Sequence, residues 1–220
     1  MKALIFDLDG TLVDTVYGHA LSWQRALAEA GIATDTARLH RRIGMAGELL
    51  MEESAREAGK HLSKNKMKVA DQRHAALFAR LISKPRPLTG AVMLLRRLRR
   101  SRIPHGIATS GKRGSIQPAI AALRLPESAI IVDGSSVKHA KPEPDLFIQC
   151  QERLEANEND CFVVGDATWD MLAARRAGML GVGLLSGGYG EDELYRAGAF
   201  RVYRDPEELL QSITQLGISL

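Results

Sequence analysis

A repeating alternation of short apolar runs and amphipathic stretches constrains this chain more than any other feature. The runs are Ala3–Phe6, Pro104–Thr109, Ala129–Val132, Cys161–Gly165 and Gly181–Leu184, with a weaker sixth at Phe200–Tyr203. Most are nearly continuous in apolar residues, as strands buried on both faces must be. Helical patterns near 90–101, 115–123, 144–154 and 168–177 separate them. The expected fold class is therefore α/β, a Rossmann-like three-layer core with a parallel sheet covered on both sides. A last helix is signalled by Asp205 as N-cap, Pro206 at the first helical position and Glu208 completing a capping pattern.

The alternation stops between Asp14 and Pro87. No strand-like run occurs there, and helical segments near 17–30, 35–43, 46–58 and 66–82 follow one another directly. Lys84-Pro85-Arg86-Pro87 reads as a hinge, because prolines restrict the chain and stop helices. The expected organisation is a core of residues 1–14 and 88–220 with a helical cap at 15–87, joined through linkers near 14–16 and 84–88.

Of the 220 residues, 45% are hydrophobic and 25% charged, enough apolar mass for a real core. No apolar run approaches the roughly 20 residues that a membrane-spanning helix needs. The first strand is too short for a signal-peptide core, and Asp7 and Asp9 follow it at once. Cys150 and Cys161 stand outside any CxxC or Cys/His spacing, so no disulfide framework or structural zinc is expected, and the default setting is the reducing cytoplasm.

Thirteen Lys/Arg against seven Asp/Glu lie between Thr15 and Pro87, an excess of six in a chain of net charge +4. A basic segment in a mildly acidic body fits a small anionic partner or nucleic acid, although composition alone favours a solvated helical surface. The run Arg96-Arg97-Leu98-Arg99-Arg100-Ser101-Arg102 ends a helix, where cations favour the dipole. No aromatic residues interleave it, and nucleic acid is discounted as a partner. No obligate protein partner is evident either.

The chemistry-bearing residues gather at expected strand ends. In open α/β sheets ligands bind beyond the carboxyl ends of the strands. Asp7 and Asp9 follow the first strand and precede Gly10-Thr11; Asp166 follows Cys161–Gly165, with Asp170 one turn into the next helix. Taken alone, Asp166 reads as that helix's N-cap. If the two pairs converge, four negative charges share one pocket, which a hard dication with oxygen ligands resolves, Mg²⁺ most naturally. Thr109-Ser110-Gly111 ends another strand with hydroxyls and glycine, suited to donating to phosphate oxygens through Thr109 and the next backbone N–H. Lys141, before the proline-fixed turn Pro142-Glu143-Pro144, supplies a cation for both phosphate and nucleophile.

With these residues in order, the sequence resembles the haloacid dehalogenase superfamily over nearly its whole length, in the subgroup whose helical cap follows the first motif. The four motifs are DLDGT at Asp7–Thr11, the strand-end Thr109, Lys141 of KPEPD, and GDxxxD spanning Asp166 to Asp170. The resemblance implies that Asp7 is the nucleophile and Asp9 the general acid and base. Thr109 and Lys141 would stabilise the phosphoryl group. Mg²⁺ would bind Asp7, the carbonyl of Asp9 and Asp166, with Asp170 coordinating directly or through water. Asp9 argues against the dehalogenase and phosphonate-cleaving relatives, which do not carry this second acid.

Two members of the superfamily remain to be separated. By similarity to the β-phosphoglucomutase group, Thr15, His19 and Trp23 match the stretch that couples cap closure to the acid/base. Specificity falls on the loop Gly44–Glu48, so Gly44 and Gly47 join Thr15, His19, Thr109, Ser110 and Lys141 as candidate substrate contacts. Gly47 stands where that group has a phosphate-gripping arginine, and Asp71 lies near the position of its cap lysine, with Arg73 close by. The expected function is a Mg²⁺-dependent phosphatase for a small phosphorylated metabolite. A sugar-phosphate mutase and a non-catalytic phosphate-binding protein are the alternatives. Arg41, Arg42 and Arg73 read more readily as solvated charges than as substrate ligands.

Overall fold

The computed structural model describes residues 2–220. Six parallel strands form one sheet: β1 (Ala3–Phe6), β2 (His105–Thr109), β3 (Ile130–Asp133), β4 (Cys161–Gly165), β5 (Leu180–Leu184) and β6 (Ala199–Tyr203). Their order is β3-β2-β1-β4-β5-β6. Ile5 pairs with Gly106 on one side and Val163 on the other, so β1 is central. Successive strands spread from β1 in opposite directions, which opens a crevice at the β1/β4 boundary, where this class of sheet binds its ligands.

Side-chain alternation along β1 splits the core in two. Leu4 and Phe6 join Ile107, Phe162, Val164, Val182 and Leu184 on one face. There α5 (Ala91–Arg100), α6 (Arg113–Ala122) and α10 (Pro206–Gln211) cover them, chiefly through Leu94, Leu98, Ile116 and Leu209. Ala3 and Ile5 face Ala108, Val132 and Val163, under α7 (Asp145–Arg153) and α8 (Thr168–Arg176). This is the expected three-layer α/β architecture. Asp205 accepts from the Glu208 backbone N–H at 2.9 Å, the capping that starts α10.

Four helices, α1 (Val16–Glu29), α2 (Thr36–His40), α3 (Gly47–Glu57) and α4 (Lys64–Leu81), follow β1 and precede α5. Trp23, Leu27, Leu39, Leu50, Met51 and Met67 form an apolar cluster of their own. The chain enters and leaves this segment side by side: Asp14 N donates to Arg86 O at 2.9 Å and Leu88 N to Leu12 O at 2.9 Å. The second helix is shorter than the pattern over 35–43 implies, because Arg41–Gly44 turns and Gly44 adopts φ +98°. One helix, α9 (Glu191–Ala197), has no counterpart in the sequence reading. Among the described residues no helix is long and apolar enough to cross a membrane.

Candidate active site

Asp7 leaves the end of β1 with its backbone N–H fixed on Val164 O at 2.8 Å, so its side chain projects from the sheet's central crevice. Lys141, fully buried, donates Nζ–H to Asp7 Oδ1 and, at 2.8 Å, to Asp170 Oδ1. Asp170 Oδ2 accepts the Ala167 N–H at 3.0 Å, which locks the start of α8. Capping therefore falls to Asp170, and Asp166 is released from the N-cap role it would otherwise fill. Asp166 Oδ1 accepts from Thr11 Oγ1 at 3.0 Å.

Two glycines make room for Asp166. A Cβ on Gly187 would lie 1.7 Å from Asp166 Oδ2, and one on Gly10 2.5 Å from the same oxygen. Gly10 also adopts φ +81°, a conformation that L side chains rarely take. Carboxylate oxygens of Asp7, Asp166 and Asp170 all come within 4.8 Å of one another, in a buried cluster.

Three buried carboxylates against one ammonium leave an excess of negative charge. Burial, helped by Asp170 and Asp9 and opposed by Lys141, raises the Asp7 pKa to about 7. Burial, followed by Asp170 and Asp7, pushes Asp166 well above the usual carboxylate range. The cluster thus holds protons unless another positive charge replaces them. All-oxygen donors, the charge deficit and the space cleared around Asp166 Oδ2 fit a hard divalent cation. The Asp9 side chain is outside this cluster, so only its backbone carbonyl is available to the role expected of it there.

Asp9 faces the helical segment instead. Thr15 Oγ1 donates to Asp9 Oδ1 at 2.6 Å, and His19 Nε2 lies 3.3 Å from the same oxygen. Burial alone would raise the Asp9 pKa, but His19 and then Thr15 outweigh it and hold the group below its ordinary value. His19 Nδ1 in turn meets His74 Nε2 at 3.0 Å. Burial, and then His19, keep His74 well below the usual imidazole range. Asp9, His19 and His74 thus form one hydrogen-bonded chain from the strand end into α1 and α4.

Thr109, buried at the end of β2, accepts the Gly111 N–H at 3.1 Å and keeps its own hydroxyl proton to donate. Ser110 Oγ donates to Gly44 O at 3.1 Å, so its hydroxyl ties the helical segment to the core. A Cβ on Gly44 would approach Ala167 Cβ to 3.2 Å, and Ala46 N donates to Lys141 O at 2.8 Å. Gly47 sits apart from these contacts: the atoms nearest a Cβ there belong to Trp23 and Asp71.

The candidate cations of the helical segment are engaged. Arg42 pairs with Glu57, Arg73 with Glu29 through two contacts of 2.7 and 2.8 Å, and Arg41 with Glu193 at 3.1 Å. Arg42 is buried rather than solvated. Sequence reasoning missed His74, Lys112 and His40. His74 stacks on Trp23 with centroids 4.0 Å apart, and His40 Nε2 lies 2.6 Å from Gly187 O. His74 and Phe78 lie one turn apart on α4, a spacing that signals a shared face but not which helix it meets.

The profile of the haloacid dehalogenase-like hydrolase family matches residues 1–178. A validoxylamine A 7'-phosphate phosphatase of Streptomyces hygroscopicus subsp. limoneus is 30% identical over 187 residues, covering 83% of this chain and 85% of the relative. A β-phosphoglucomutase of Bacillus subtilis (strain 168) is 31% identical over 193 residues, covering 85% and 84%. The crystal structure of a hydrolase from Pseudomonas syringae superposes with a TM-score of 0.95 at 42% identity, over 98% of this chain and 99% of that one. With this match and the acidic cluster at the sheet's crevice, the chain belongs to the haloacid dehalogenase-like hydrolase family.

Proposed function

We propose that the protein is a Mg²⁺-dependent phosphatase that hydrolyses a small phosphomonoester through an aspartyl-phosphate on Asp7. The observation that carries this reading is the difference in surroundings between two neighbouring carboxylates. Asp7 lies on Lys141 inside the acidic cluster, whereas Asp9 lies on Thr15 and His19, outside it. Pairs of acids in such different environments take different chemical roles.

In the first step an Asp7 carboxylate oxygen attacks phosphorus, the bond to the leaving oxygen breaks, and Asp9 gives that oxygen a proton. In the second, Asp9 takes a proton from water as the water oxygen attacks phosphorus, releasing inorganic phosphate and the Asp7 carboxylate. The contacts from Thr15 and His19 favour ionised Asp9, the form that the second step requires. A phosphate dianion docked beside Asp7 brings negative charge against Asp9 and favours its protonated form for the first. Thr109 would donate its hydroxyl, and the Ser110 backbone N–H would donate to the same phosphoryl oxygens. Lys141 holds positive charge beside the nucleophile. Asp7, Asp166 and the Asp9 carbonyl, with Asp170 directly or through water, would hold Mg²⁺, which would supply electrostatic stabilisation of the phosphoryl oxygens.

Residues 15–87 act as a cap on the core formed by 1–14 and 88–220, and Gly44 and Gly47 shape the side of the pocket that meets the leaving group. A mutase must grip a second phosphate, and the helical segment offers little to do so. Gly47 has no side chain, Asp71 is acidic, and Arg41, Arg42 and Arg73 are paired. The free thiols of Cys150 and Cys161, both buried, are in keeping with a cytoplasmic protein.

Asp7→Asn should abolish phosphate release while circular dichroism shows the fold intact. Retention of most turnover by that variant, correctly loaded with metal, contradicts the covalent mechanism.

A further inference from the structure

We propose that His40 is a positioning residue for the cation site: by holding the carbonyl of Gly187, it fixes the turn after β5 against Asp166. The proposal rests on the reading of Asp166 as a ligand of a divalent cation, and it adds a residue of the helical segment that meets Asp166 only through backbone.

His40 is the last residue of α2 and is buried. Its ring stacks on Tyr17 with centroids 5.2 Å apart and lies 5.6 Å from the ring of Tyr189. Nε2 is 2.6 Å from Gly187 O. A carbonyl oxygen only accepts, so Nε2 carries the proton and donates it.

The turn that His40 grips, Leu185–Gly187, presses bare backbone against Asp166. A Cβ on Gly187 would fall 1.7 Å from Asp166 Oδ2. Gly188 adopts φ +89°, and a Cβ there would lie 3.0 Å from His40 Nε2 and 2.7 Å from the Tyr17 hydroxyl oxygen. The same stretch of backbone therefore packs on Asp166 and on His40. Thr11 fixes only Oδ1 of Asp166, which leaves the aim of Oδ2 to this packing. Backbone packing can aim a carboxylate only while the turn itself is held. Ser186 Oγ holds it from within the core, donating to Gly10 O at 2.6 Å, and His40 holds it from the helical segment. Groups that orient a ligand without touching the metal commonly set its affinity.

A different contact of the same segment supplies a control. Asp71 Oδ2, on α4, accepts from Lys112 Nζ at 2.6 Å, and Lys112 is the N-cap of α6. This ion pair ties the segment to the stretch after β2, not to the turn after β5.

The test is Mn²⁺ binding to the substrate-free protein, read from the electron paramagnetic resonance signal of the free ion. His40→Phe keeps an aromatic ring beside Tyr17 but has no donor, whereas His40→Gln keeps an N–H donor. The Phe variant should bind Mn²⁺ about fivefold more weakly than wild type, the equivalent of one lost hydrogen bond, and the Gln variant should recover most of the loss. Lys112→Gln should bind Mn²⁺ as wild type does. In the wild-type protein, where no variant's folding is in question, MgCl₂ should slow hydrogen exchange in peptides covering both 185–190 and 36–41, since coupling is reciprocal.

Wild-type affinity in His40→Phe overturns the proposal, as does an equal loss in His40→Phe and His40→Gln. An equal loss in His40→Phe and Lys112→Gln also overturns it, because His40 then only helps to dock the segment. Exchange that MgCl₂ leaves unchanged in either stretch does the same. If the wild-type protein binds no Mn²⁺, the metal-dependent reading fails and this proposal with it. Binding by wild type without the His40 effect defeats the proposal alone.

Discussion

Lys141 holds Asp7 and Asp170 together at the carboxyl end of β1, yet a single ammonium leaves the buried cluster short of positive charge. This imbalance has a measurable pH signature. Without metal, folded Asp7 keeps its proton up to about pH 7, whereas the unfolded chain loses it near the ordinary value of 3.8. Over that window the folded state binds more protons, so this group's contribution to stability falls as pH rises. A dication needs the ionised form, and its binding strengthens over the same window. The rise in Tm on adding MgCl₂ should be small near about pH 5 and grow through about pH 7. A metal-induced shift that is flat across this range, or that shrinks as pH rises, contradicts the site. The meeting of Asp7, Asp166 and Asp170 was legible in the sequence because strand ends converge in any sheet of this class. The pairing of His19 with His74, and of Asp71 with Lys112, was not. It depends on how α1 and α4 lie against each other and against the core, which no single-helix period encodes.

At the scale of elements, burial on both faces made β1 and β4 readable as continuous apolar runs. The helix α9 escaped notice because it opens on Glu191-Asp192-Glu193 and buries only Leu194. Its definition comes from the glycines at its ends and from Glu193, whose carboxylate accepts the Gly190 N–H at 2.7 Å. Loop glycines also shape the acidic cluster. In Gly187→Ala the new methyl would displace Asp166 or the turn after β5, since its Cβ falls 1.7 Å from Asp166 Oδ2. This variant should lose its Mg²⁺-dependent Tm shift and most of its turnover. Its metal-free Tm should fall by only a few degrees, corresponding to about 1 kcal/mol. An unaltered metal response and turnover in Gly187→Ala would contradict the displacement of Asp166 expected from this contact.

Across the whole molecule, the helical segment lies on the core through contacts that surround the acidic cluster. Trp169 Nε1 and Tyr189 OH both donate to Arg41 O, at 2.9 and 2.8 Å, and Ala46 N donates to Lys141 O. These bonds tie the segment to the core, and on the proposed reading the paired linkers at Leu12–Asp14 and Arg86–Leu88 are where it would hinge. If closure precedes chemistry, loosening it should cost catalysis. The Trp169→Phe, Tyr189→Phe double variant loses two hydrogen bonds, together about 2 kcal/mol, and its kcat/KM should fall about thirtyfold. Unchanged kcat/KM would mean that these contacts do not contribute to the working state. The run of four helices between β1 and α5 was readable from the broken strand rhythm. Their contacts with the core were not, because Trp169 and Tyr189 meet a backbone carbonyl of a turn whose shape depends on Gly44.

The central claim, phosphorylation of Asp7, is open to direct measurement. Asp9→Asn protein with MgCl₂ should accept a phosphoryl group from p-nitrophenyl phosphate, whose leaving group needs no protonation, but should hydrolyse the intermediate slowly. Acid quenching, pepsin digestion at low pH and mass spectrometry should find one added phosphoryl group on the peptide that carries Asp7, localised by fragmentation to that residue. Phosphate release with Asp7 unmodified, or a phosphoryl group on another residue, would contradict the account.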